Sequence, residues 1–300
     1  IYAVASERSV GQSIKFKGAD IKIISIENVL QNKIDVAIFS AGKEVSLKWA
    51  PIFVKEGIYV IDNSSAWRMD VTKKLIVPEI NGHILQKEDK IIPNPNCSTI
   101  QMVMAIHNIH RKYNILRIIV STYQSISGTG RKAIAQLDGE ENNSNTKKVY
   151  PHQIYKNAIP HCDDFEENGY TKEEMKLVKE TNKILGSNIS ITATAVRLPI
   201  SGGHSESINI TLEKSFDIND IKKIIQNSEG VILEDKPFEN HYPMPLNSQG
   251  KDDVYVGRVR RDNSCENSLN MWVVCDNLRK GAATNTIQIM QLLTEKGFID

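Results

Sequence analysis

The first third of the chain alternates short apolar runs with segments of helical spacing, and this alternation constrains the fold more than any other feature. Apolar runs occupy 2–6, 35–40 and 58–61, and residues 44–56 between the last two carry apolar side chains at helical spacing. Buried β-runs that alternate with helices are typical of a parallel, doubly wound sheet. The sequence therefore predicts an α/β fold for this part of the chain.

The remaining two thirds follow a different pattern. A turn rich in proline and asparagine at 91–98 ends the alternation, and 139–169 is predicted to be a long surface loop. Helices are predicted at 98–112, at 171–185 (with Thr171 and Glu174 as a capping box and Gly186 as the stop) and at about 281–296. Strands are predicted at 115–123, 189–197, 205–213, 254–260 and 269–276.

Composition excludes several classes of protein. The chain has 300 residues, with 37 basic against 36 acidic side chains. Two domains are expected, since a domain usually has about 100–200 residues. The balanced charge argues against a nucleic-acid or membrane-surface protein, and no apolar run approaches the roughly 18 residues of a membrane span. Four cysteines without a C-x-x-C pair argue against a disulfide framework or a zinc site and indicate a reducing compartment, most simply the cytoplasm.

Cys97 is the first candidate for chemistry, because it follows a rigid P-N-P-N turn and opens a predicted helix. Unpaired N–H groups and the dipole at a helix start favour a thiolate. A small buried hydrophobe is the alternative reading of a free cysteine. Cys162, in a polar segment, is a weaker competitor, and Cys275 is predicted to lie in the core of a strand.

A cysteine nucleophile needs a partner base, and His204 is the best placed histidine. It closes the string R-L-P-I-S-G-G-H directly after a predicted strand, where two glycines would expose its side chain to a cleft. A hydrogen-bonded turn histidine is the alternative. The glycine-containing string 124–130 could bring backbone close to a phosphate or a cofactor ring, whereas a plain flexible turn is its simpler reading.

Four charged residues could bind an ionic ligand. Glu173 and Lys176 are three residues apart on one face of a predicted helix, where a surface ion pair is the plain alternative. Arg68 and Arg197 stand alone beside apolar residues. At such positions a guanidinium group often holds a carboxylate or a phosphate through two N–H groups, although a surface arginine remains the alternative.

These features occur together in five strings, in this order: P-N-P-N-C-S-T-I-Q, S-T-Y-Q-S-I-S-G-T-G, Y-T-K-E-E-M-K, R-L-P-I-S-G-G-H-S-E and D-N-L-R-K-G-A-A. Their order and spacing resemble the aspartate-β-semialdehyde dehydrogenases, in particular the branch common in Gram-positive bacteria. The resemblance extends over nearly the whole chain. It implies a Rossmann-type NADP-binding domain at 1–95, completed by a C-terminal helix at 277–300. An α+β catalytic and dimerisation domain with a mixed sheet is implied at 96–276.

The resemblance also implies roles for individual residues. Cys97 matches the family's nucleophile, His204 its acid–base residue and Gln124 the glutamine that orients the acyl intermediate. The implied substrate-binding residues are Arg197 for the α-carboxylate, Glu173 for the amino group, Arg68 and Lys176 for the phosphate, and Asn96. The implied cofactor-binding residues are Arg8, Ser9, Ser127, Gly128 and Asn277. No metal ion is implied.

Arg8 and Ser9 match the family's site for the 2′-phosphate, so the resemblance implies NADP as the cofactor. An arginine near this strand suits a 2′-phosphate where an acid would suit a ribose hydroxyl. Glu7 beside Arg8 leaves open how strictly NAD is excluded. The family begins with a strand and a glycine-rich phosphate loop, whereas the given sequence opens at Ile1. We expect such a segment to precede Ile1 in the full protein.

The expected reaction is the reversible reduction of L-aspartyl 4-phosphate to L-aspartate 4-semialdehyde and phosphate, on the route to lysine and diaminopimelate, threonine, methionine and isoleucine. The expected partners are this small substrate, inorganic phosphate and a second copy of the chain, with a tetramer left open. Three alternatives remain: a related acyl-phosphate reductase acting on N-acetylglutamyl phosphate, a cofactor-independent Cys–His hydrolase and a non-catalytic dimerising relative. Glu173 favours aspartyl phosphate, because an acetylated amine has no charge to pair.

Overall fold

The computed structural model describes residues 1–299. Its strands, in chain order, are β1 (Ala3–Val4), β2 (Ser13–Phe16), β3 (Ala19–Ile24), β4 (Val36–Phe39), β5 (Tyr59–Asp62), β6 (Ile91–Pro93), β7 (Ile115–Ser125), β8 (Ser190–Leu198), β9 (His204–Leu212), β10 (Val231–Leu233), β11 (Val254–Arg261) and β12 (Ser268–Cys275). Its α-helices are α1 (Ile26–Val29), α2 (Lys43–Lys55), α3 (Pro78–Asn81), α4 (Cys97–Tyr113), α5 (Arg131–Glu141), α6 (Lys172–Leu185), α7 (Ile218–Gln226), α8 (Pro245–Ser248) and α9 (Thr284–Glu295).

The N-terminal part carries two small sheets. Strands β4, β5 and β6 are parallel and lie in that order, and β1 pairs in parallel with β3, which β2 joins in an antiparallel hairpin. The buried side chains of β5 and β6 pack against Ile289 and Leu293 of α9, so the last helix of the chain returns to this sheet. The parallel strands explain why runs such as 58–61 are apolar throughout, because both faces of the sheet are covered.

The second part is built on one mixed sheet of six strands in the order β10-β11-β12-β9-β7-β8. Strand β7 is parallel to β8 and antiparallel to β9, with Gln124 opposite Arg197 and Tyr123 opposite Ser205. One face of this sheet buries α4, α6 and α7 in the largest apolar core of the described residues. The α/β domain followed by an α+β unit with a mixed sheet confirms the predicted fold class.

Most elements lie within a few residues of their predicted bounds. The capping box of α6 is formed, since Thr171 accepts from the backbone of Glu174 and the Glu174 carboxylate accepts from the backbone of Thr171. Gly186 ends that helix in the left-handed conformation, with φ of 61°. The final helix differs at its start, because residues 279–283 form a π-turn before α9 begins. Asp300, the last residue of the predicted segment 277–300, lies outside the described residues.

The prediction of a surface loop at 139–169 is wrong in two respects. Its first three residues end helix α5, and its middle is anchored by the buried side chains of Tyr150, Ile154 and Ile159. Sparse apolar residues among polar ones concealed this packing, because they follow no regular period. The hairpin at 13–24 and helices α5 and α7 had no counterpart among the predicted elements.

Two further findings concern residues 1–299. No helix in this range is long and apolar enough to cross a bilayer. The described side chains also contain no group of three or more His, Cys, Asp and Glu residues that could hold a metal ion. All four cysteines are free thiols.

Candidate active site

A cavity of about 550 Å³ lies where the two parts of the molecule meet. Ser40, Asn63 and Asn94, which line it, directly follow β4, β5 and β6. Parallel strands carry their carboxyl ends to one edge of a sheet, and ligands of open α/β sheets bind in the crevice beyond that edge. The opposite wall comes from the ends of β7, β8 and β9 and from the start of α4. The fold therefore places the cavity in the crevice between the parallel sheet of β4, β5 and β6 and the second part of the molecule.

Cys97 is the first residue of α4 and opens into this cavity. The expectation of a thiolate is wrong for the protein in this state. Burial raises the pKa of the Cys97 thiol to about 12, and the Glu173 carboxylate acts in the same direction, against the opposing effect of Arg197 and Arg68. The free N–H groups of the helix start are also occupied, because the Asn96 side-chain oxygen accepts from Ser98 and Thr99. Desolvation and the Glu173 charge therefore favour the protonated thiol at Cys97.

Asn96 is held from three sides. Its backbone N–H donates to Oε2 of Glu180 at 2.7 Å, and its side-chain amide donates to Oε1 of Glu173 at 3.0 Å. The other oxygen of Glu180 accepts from Nη1 of Arg68 at 3.2 Å in a buried ion pair. Arg68 also donates to the backbone oxygen of Asn63 at 2.9 Å. This chain of bonds links the residue before the thiol to the loop after β5.

Glu173 is the centre of a second network. Its Oε1 accepts from the side-chain amides of Asn96 and Gln124, each at 3.0 Å, and its Oε2 accepts from Nζ of Lys176 at 3.0 Å. Lys176 also donates to Asp163 at 2.7 Å. Burial opposes the ionisation of Glu173, yet Lys176 and the donated hydrogen bonds outweigh it and lower its pKa to about 2. Glu173 is thus a carboxylate inside the cavity wall and not half of a surface ion pair.

His204 is fully buried at the start of β9. Its Nδ1 accepts from the backbone N–H of Ser125 at 3.1 Å, so the ring proton lies on Nε2. Nε2 has no hydrogen-bond partner anywhere in 1–299, and a Cβ built on Gly128 would lie 3.4 Å from it. Burial lowers the pKa of His204 to about 3, and the Arg197 charge adds to this effect. His204 is therefore a neutral donor that faces the cavity beside Gly128.

The remaining cavity residues form a polar ledge. Nη1 of Arg197 donates to the backbone oxygen of Ser125 at 2.7 Å, while its Nε has no partner among the described atoms. The side-chain oxygen of Asn277 accepts from Ser125 and Ser127, each at 3.2 Å. A Cβ added to Gly128 would lie 3.2 Å from Nη1 of Arg197, so a larger residue at this position would displace the Arg197 side chain. The absence of a side chain at Gly128 lets a ligand approach the backbone here.

Eleven of the predicted site residues line this single cavity, although they come from segments more than 200 residues apart in sequence: Arg68, Asn96, Cys97, Gln124, Ser127, Gly128, Glu173, Lys176, Arg197, His204 and Asn277. Arg8 and Ser9 do not line it and lie in the turn after β1, with Arg8 exposed. Cys162, the weaker competitor, is buried, and burial raises the pKa of its thiol to about 12. Cys275 is buried at the end of β12.

Sequence reasoning missed several cavity residues. Ser40, Asn63 and Asn94 could have been found, because each is the first residue after an apolar strand of a parallel sheet. Gly281, which also lines the cavity, had no such signal, and neither did Glu180, which binds the cavity residues Arg68 and Asn96 but does not line the cavity itself. Glu180 sits in a helix among other charged residues, and Gly281 matters because a Cβ there would lie 2.9 Å from Cβ of Cys97.

Comparisons with known proteins agree with this geometry. The family model described as the semialdehyde dehydrogenase NAD binding domain matches residues 1–88, and the model described as the semialdehyde dehydrogenase dimerisation domain matches 106–280. The aspartate-semialdehyde dehydrogenase of Aquifex aeolicus is 49% identical over 98% of this chain and 90% of the relative, and that of Bacillus subtilis is 42% identical over 99% and 90%.

A solved structure is similar over the same extent. Aspartate semialdehyde dehydrogenase II of Vibrio cholerae, described as complexed with ASA, has a TM-score of 0.93 and 40% identity over 98% of this chain and 89% of that one. Sequence identity of this level over nearly the whole length, two matching domain models and a shared fold lead to one conclusion. The chain belongs to the aspartate-semialdehyde dehydrogenase family.

Proposed function

We propose that the chain catalyses the reversible, NADPH-dependent conversion of L-aspartyl 4-phosphate to L-aspartate 4-semialdehyde and inorganic phosphate. The observation that carries the proposal is the arrangement of charge around Cys97. Two carboxylates, Glu173 and Asp163, and three cations, Arg68, Lys176 and Arg197, line the cavity into which the thiol opens, and Glu173 is the carboxylate bonded to Asn96 beside that thiol. The relatives are aspartate-semialdehyde dehydrogenases, which supports this activity, and the cavity supplies the chemistry for it.

The charges of the cavity fit the charges of the substrate. L-aspartyl 4-phosphate carries an α-carboxylate, an ammonium group and a phosphate. We assign the carboxylate to Arg197, whose Nε has no partner in the described protein, and the ammonium group to Glu173, which is ionised. We assign the phosphate to Arg68 and Lys176. The ionised state of Glu173 disfavours an N-acetylated substrate, since an amide offers no positive charge to a buried carboxylate.

Acylation follows from the state of the thiol. Sγ of Cys97 attacks the acyl carbon, the carbon–oxygen bond to phosphate breaks, and the thiol proton leaves with the phosphate as hydrogen phosphate. Arg197 and Arg68 favour the developing thiolate, since both lower the Cys97 pKa. Gln124 is placed to orient the thioester, because its amide nitrogen is held by Ser98 and Glu173 while its oxygen has no partner in residues 1–299.

Reduction follows from the state of the histidine. When bound, the nicotinamide supplies the hydride that converts the thioester into a thiohemiacetal. The Nε2 proton of His204 stabilises the oxygen that becomes negative, which is the task of a neutral donor. As the bond between carbon and Sγ breaks, the aldehyde forms and Cys97 takes up a proton from solvent. A thiol with a pKa of about 12 makes this final protonation favourable.

The cofactor assignment has two parts, the class of cofactor and the preference for NADP over NAD. A nicotinamide dinucleotide fits the crevice beyond β4, β5 and β6 and the ledge formed by Ser127, Gly128 and Asn277. NADP as the preferred form rests on Arg8 and Ser9, which lie after β1 and offer a guanidinium and a hydroxyl group to a 2′-phosphate. Arg8 is exposed and makes no ion pair in the described structure, so its charge is available to a ligand.

We also propose a domain division, an oligomeric state, a cellular location and a metabolic role for the chain. We divide the chain into a nucleotide domain, 1–95 with 277–300, and a catalytic and dimerisation domain, 96–276. The return of α9 to the β5 sheet supports this division, and the matching dimerisation-domain model supports a homodimer. Free thiols throughout support a cytoplasmic location. The product would serve the biosynthesis of lysine and diaminopimelate, threonine, methionine and isoleucine.

The test is reduction of NADP followed by absorbance, with L-aspartate semialdehyde and phosphate as substrates. NADPH formation that requires phosphate and is lost in Cys97→Ala supports the reaction, the substrate and the nucleophile together. Turnover of N-acetylglutamate semialdehyde but not of aspartate semialdehyde would overturn the substrate. Faster turnover with NAD than with NADP would overturn the cofactor preference alone. Retained turnover in Cys97→Ala would overturn the role of Cys97.

A further inference from the structure

Lys280 is buried although it carries a charge, and no step proposed above uses it. Its side chain is 1% exposed and its ion-pair partner Glu79 is 5% exposed. Nζ of Lys280 lies 2.7 Å from each carboxylate oxygen of Glu79, 2.6 Å from Oε1 of Gln288 and 3.0 Å from Oδ1 of Asn285. An ammonium group has three donors, so these acceptors saturate it. The ammonium group is fully used inside the protein and is not available to a substrate.

The partners of Lys280 belong to two helices that are far apart in sequence. Glu79 lies on α3, and both Asn285 and Gln288 lie on α9, while Lys280 itself lies on the π-turn at 279–283. Asn285 also donates to the side-chain oxygen of Asn94 at 2.6 Å, in the loop that leads to Cys97. The ammonium group therefore ties the π-turn to α3 and α9 and, through Asn285, to the loop before the thiol.

In the π-turn, the side chains of the consecutive residues Arg279 and Lys280 point to opposite sides. Two of its bonds run five residues back, from Gly281 to Asp276 at 3.3 Å and from Ala283 to Leu278 at 3.1 Å. The wider turn leaves Lys280 in the interior, whereas Arg279 pairs with Asp252 at the surface. Helical segments of this kind occur often at functional sites.

The next residue touches the thiol side chain. A Cβ on Gly281 would lie 2.9 Å from Cβ and 3.3 Å from Cα of Cys97, so the π-turn backbone forms the wall beside that residue. The positions of Gly281 and Cys97 are thus coupled through packing, and Lys280 is the residue adjacent to Gly281.

Stability alone does not account for a buried lysine. A buried ion pair can often be replaced by apolar residues of similar volume without loss of stability, whereas removal of one partner is strongly destabilising. Burial also lowers the pKa of Lys280, against the effect of Glu79, so the charge is retained at a cost. What an apolar pair cannot reproduce is the fixed direction of several hydrogen bonds at one point.

We propose that Lys280 is a positioning residue whose bonds to Glu79, Asn285 and Gln288 fix the π-turn, so that the Gly281 backbone holds Cys97 in its orientation toward the cavity. The proposal rests on the proposed function only in treating Cys97 as the reacting group. Its geometric content, the coupling of Lys280 to the environment of one thiol, is independent of the substrate.

The experiment uses the full chain in a Cys265→Ser background, which removes the exposed cysteine. Three variants are compared: Lys280→Met, the double variant Lys280→Met with Glu79→Met, and Arg279→Met as the matched surface control. For each, the melting temperature, the rate of Cys97 alkylation by iodoacetamide and the values of kcat and KM are measured. Peptide mass spectrometry identifies the alkylated cysteine.

We expect the single variant to melt earlier and the double variant to regain the melting temperature of the parent. In the double variant, Cys97 alkylation is expected to rise about tenfold, the effect of a one-unit fall in the thiol pKa, because a loosened wall lets water reach the thiol. The value of kcat is expected to fall by about tenfold with KM unchanged. Arg279→Met should match the parent in all readouts.

A double variant that regains both the melting temperature and the parent's alkylation rate would overturn the proposal, since the pair would then be structural only. A parent protein that shows no turnover of aspartate semialdehyde would overturn the proposed function instead. The alkylation rates would still decide whether Lys280 positions Cys97.

Discussion

Replacing Gly281 with alanine tests the geometry of the site with the smallest possible change. The added Cβ would lie 2.9 Å from Cβ of Cys97, 3.3 Å from its Cα and 3.6 Å from its backbone oxygen. Carbon atoms in contact prefer a separation of about 3.5–4.0 Å, so one of the two segments must move by about 0.6–1.1 Å. The neighbouring atoms include backbone at the start of α4, which cannot rotate away.

The change should affect turnover much more than stability. Overpacking usually costs about 1–3 kcal/mol, and the exchange of glycine for alanine in a helical segment returns about 1 kcal/mol. A displacement of about 1 Å at a reacting group can cost about a hundredfold in rate. We therefore expect kcat to fall about 10–100-fold while the unfolding free energy falls by at most about 2 kcal/mol.

Gly82→Ala is the matched control. A Cβ on Gly82 would also lie 2.9 Å from its nearest neighbour, but that neighbour is the terminal Cδ2 of Leu292, which can rotate. Steady-state kinetics in the aldehyde-oxidising direction and urea denaturation of both variants supply the measurements. A Gly281→Ala enzyme with the kcat of the parent, or a Gly82→Ala enzyme with an equal loss, would refute the reasoning.

Two further predictions concern buried carboxyl groups and pH. Because the pKa of Glu173 is lowered from 4.5 to about 2, its charge stabilises the fold above pH 4.5, and this contribution, on the order of 3 kcal/mol, is lost as pH falls toward 2. Urea denaturation should show that Glu173→Gln lacks this slope below pH 4.5, and parallel curves for parent and variant would contradict it. Burial raises the pKa of Glu206 well above 4.5, so between the unfolded and folded pKa values the folded chain holds a proton that the unfolded chain releases. In that range the free energy of unfolding falls by about 1.4 kcal/mol for each unit by which the pH rises. Glu206→Gln should melt at a higher temperature than the parent at neutral pH, with the gain vanishing toward pH 4.5; a lower melting temperature at neutral pH would show that Glu206 is ionised.

The pKa of the Cys97 thiol could not be predicted from its neighbours in sequence. The sequence places Cys97 at the start of a helix, and that position by itself favours a thiolate. The fold adds a neighbouring carboxylate from α6 and removes water, and these two effects raise the pKa instead. Asn96 also accepts from the backbone N–H groups of Ser98 and Thr99 at the helix start, so it competes with a thiolate for them. Desolvation and charge act through space, so they follow from tertiary contacts and not from position along the chain.

Other parts of the fold and of the site could be predicted from the sequence. The alternating apolar runs predicted the parallel strands, and the capping box of α6 predicted where that helix begins. Motifs whose reactive residue lies within a short run of consecutive residues, such as the string around His204, could also be recognised from the sequence. Each depends on near neighbours in sequence, since hydrogen bonds at a helix start and the period of a strand involve only a few consecutive residues.

The sequence by itself therefore determined most of the elements, their order and the motifs able to carry chemistry. Only the tertiary structure decided how those residues act. It joined Arg68 to Glu180, made Glu173 an ionised centre of four side chains, and set Gly281 against Cys97. The physical reason is the same in each case. Side-chain protonation and contact depend on which distant segments exclude water from one another, and only the folded chain brings those segments together.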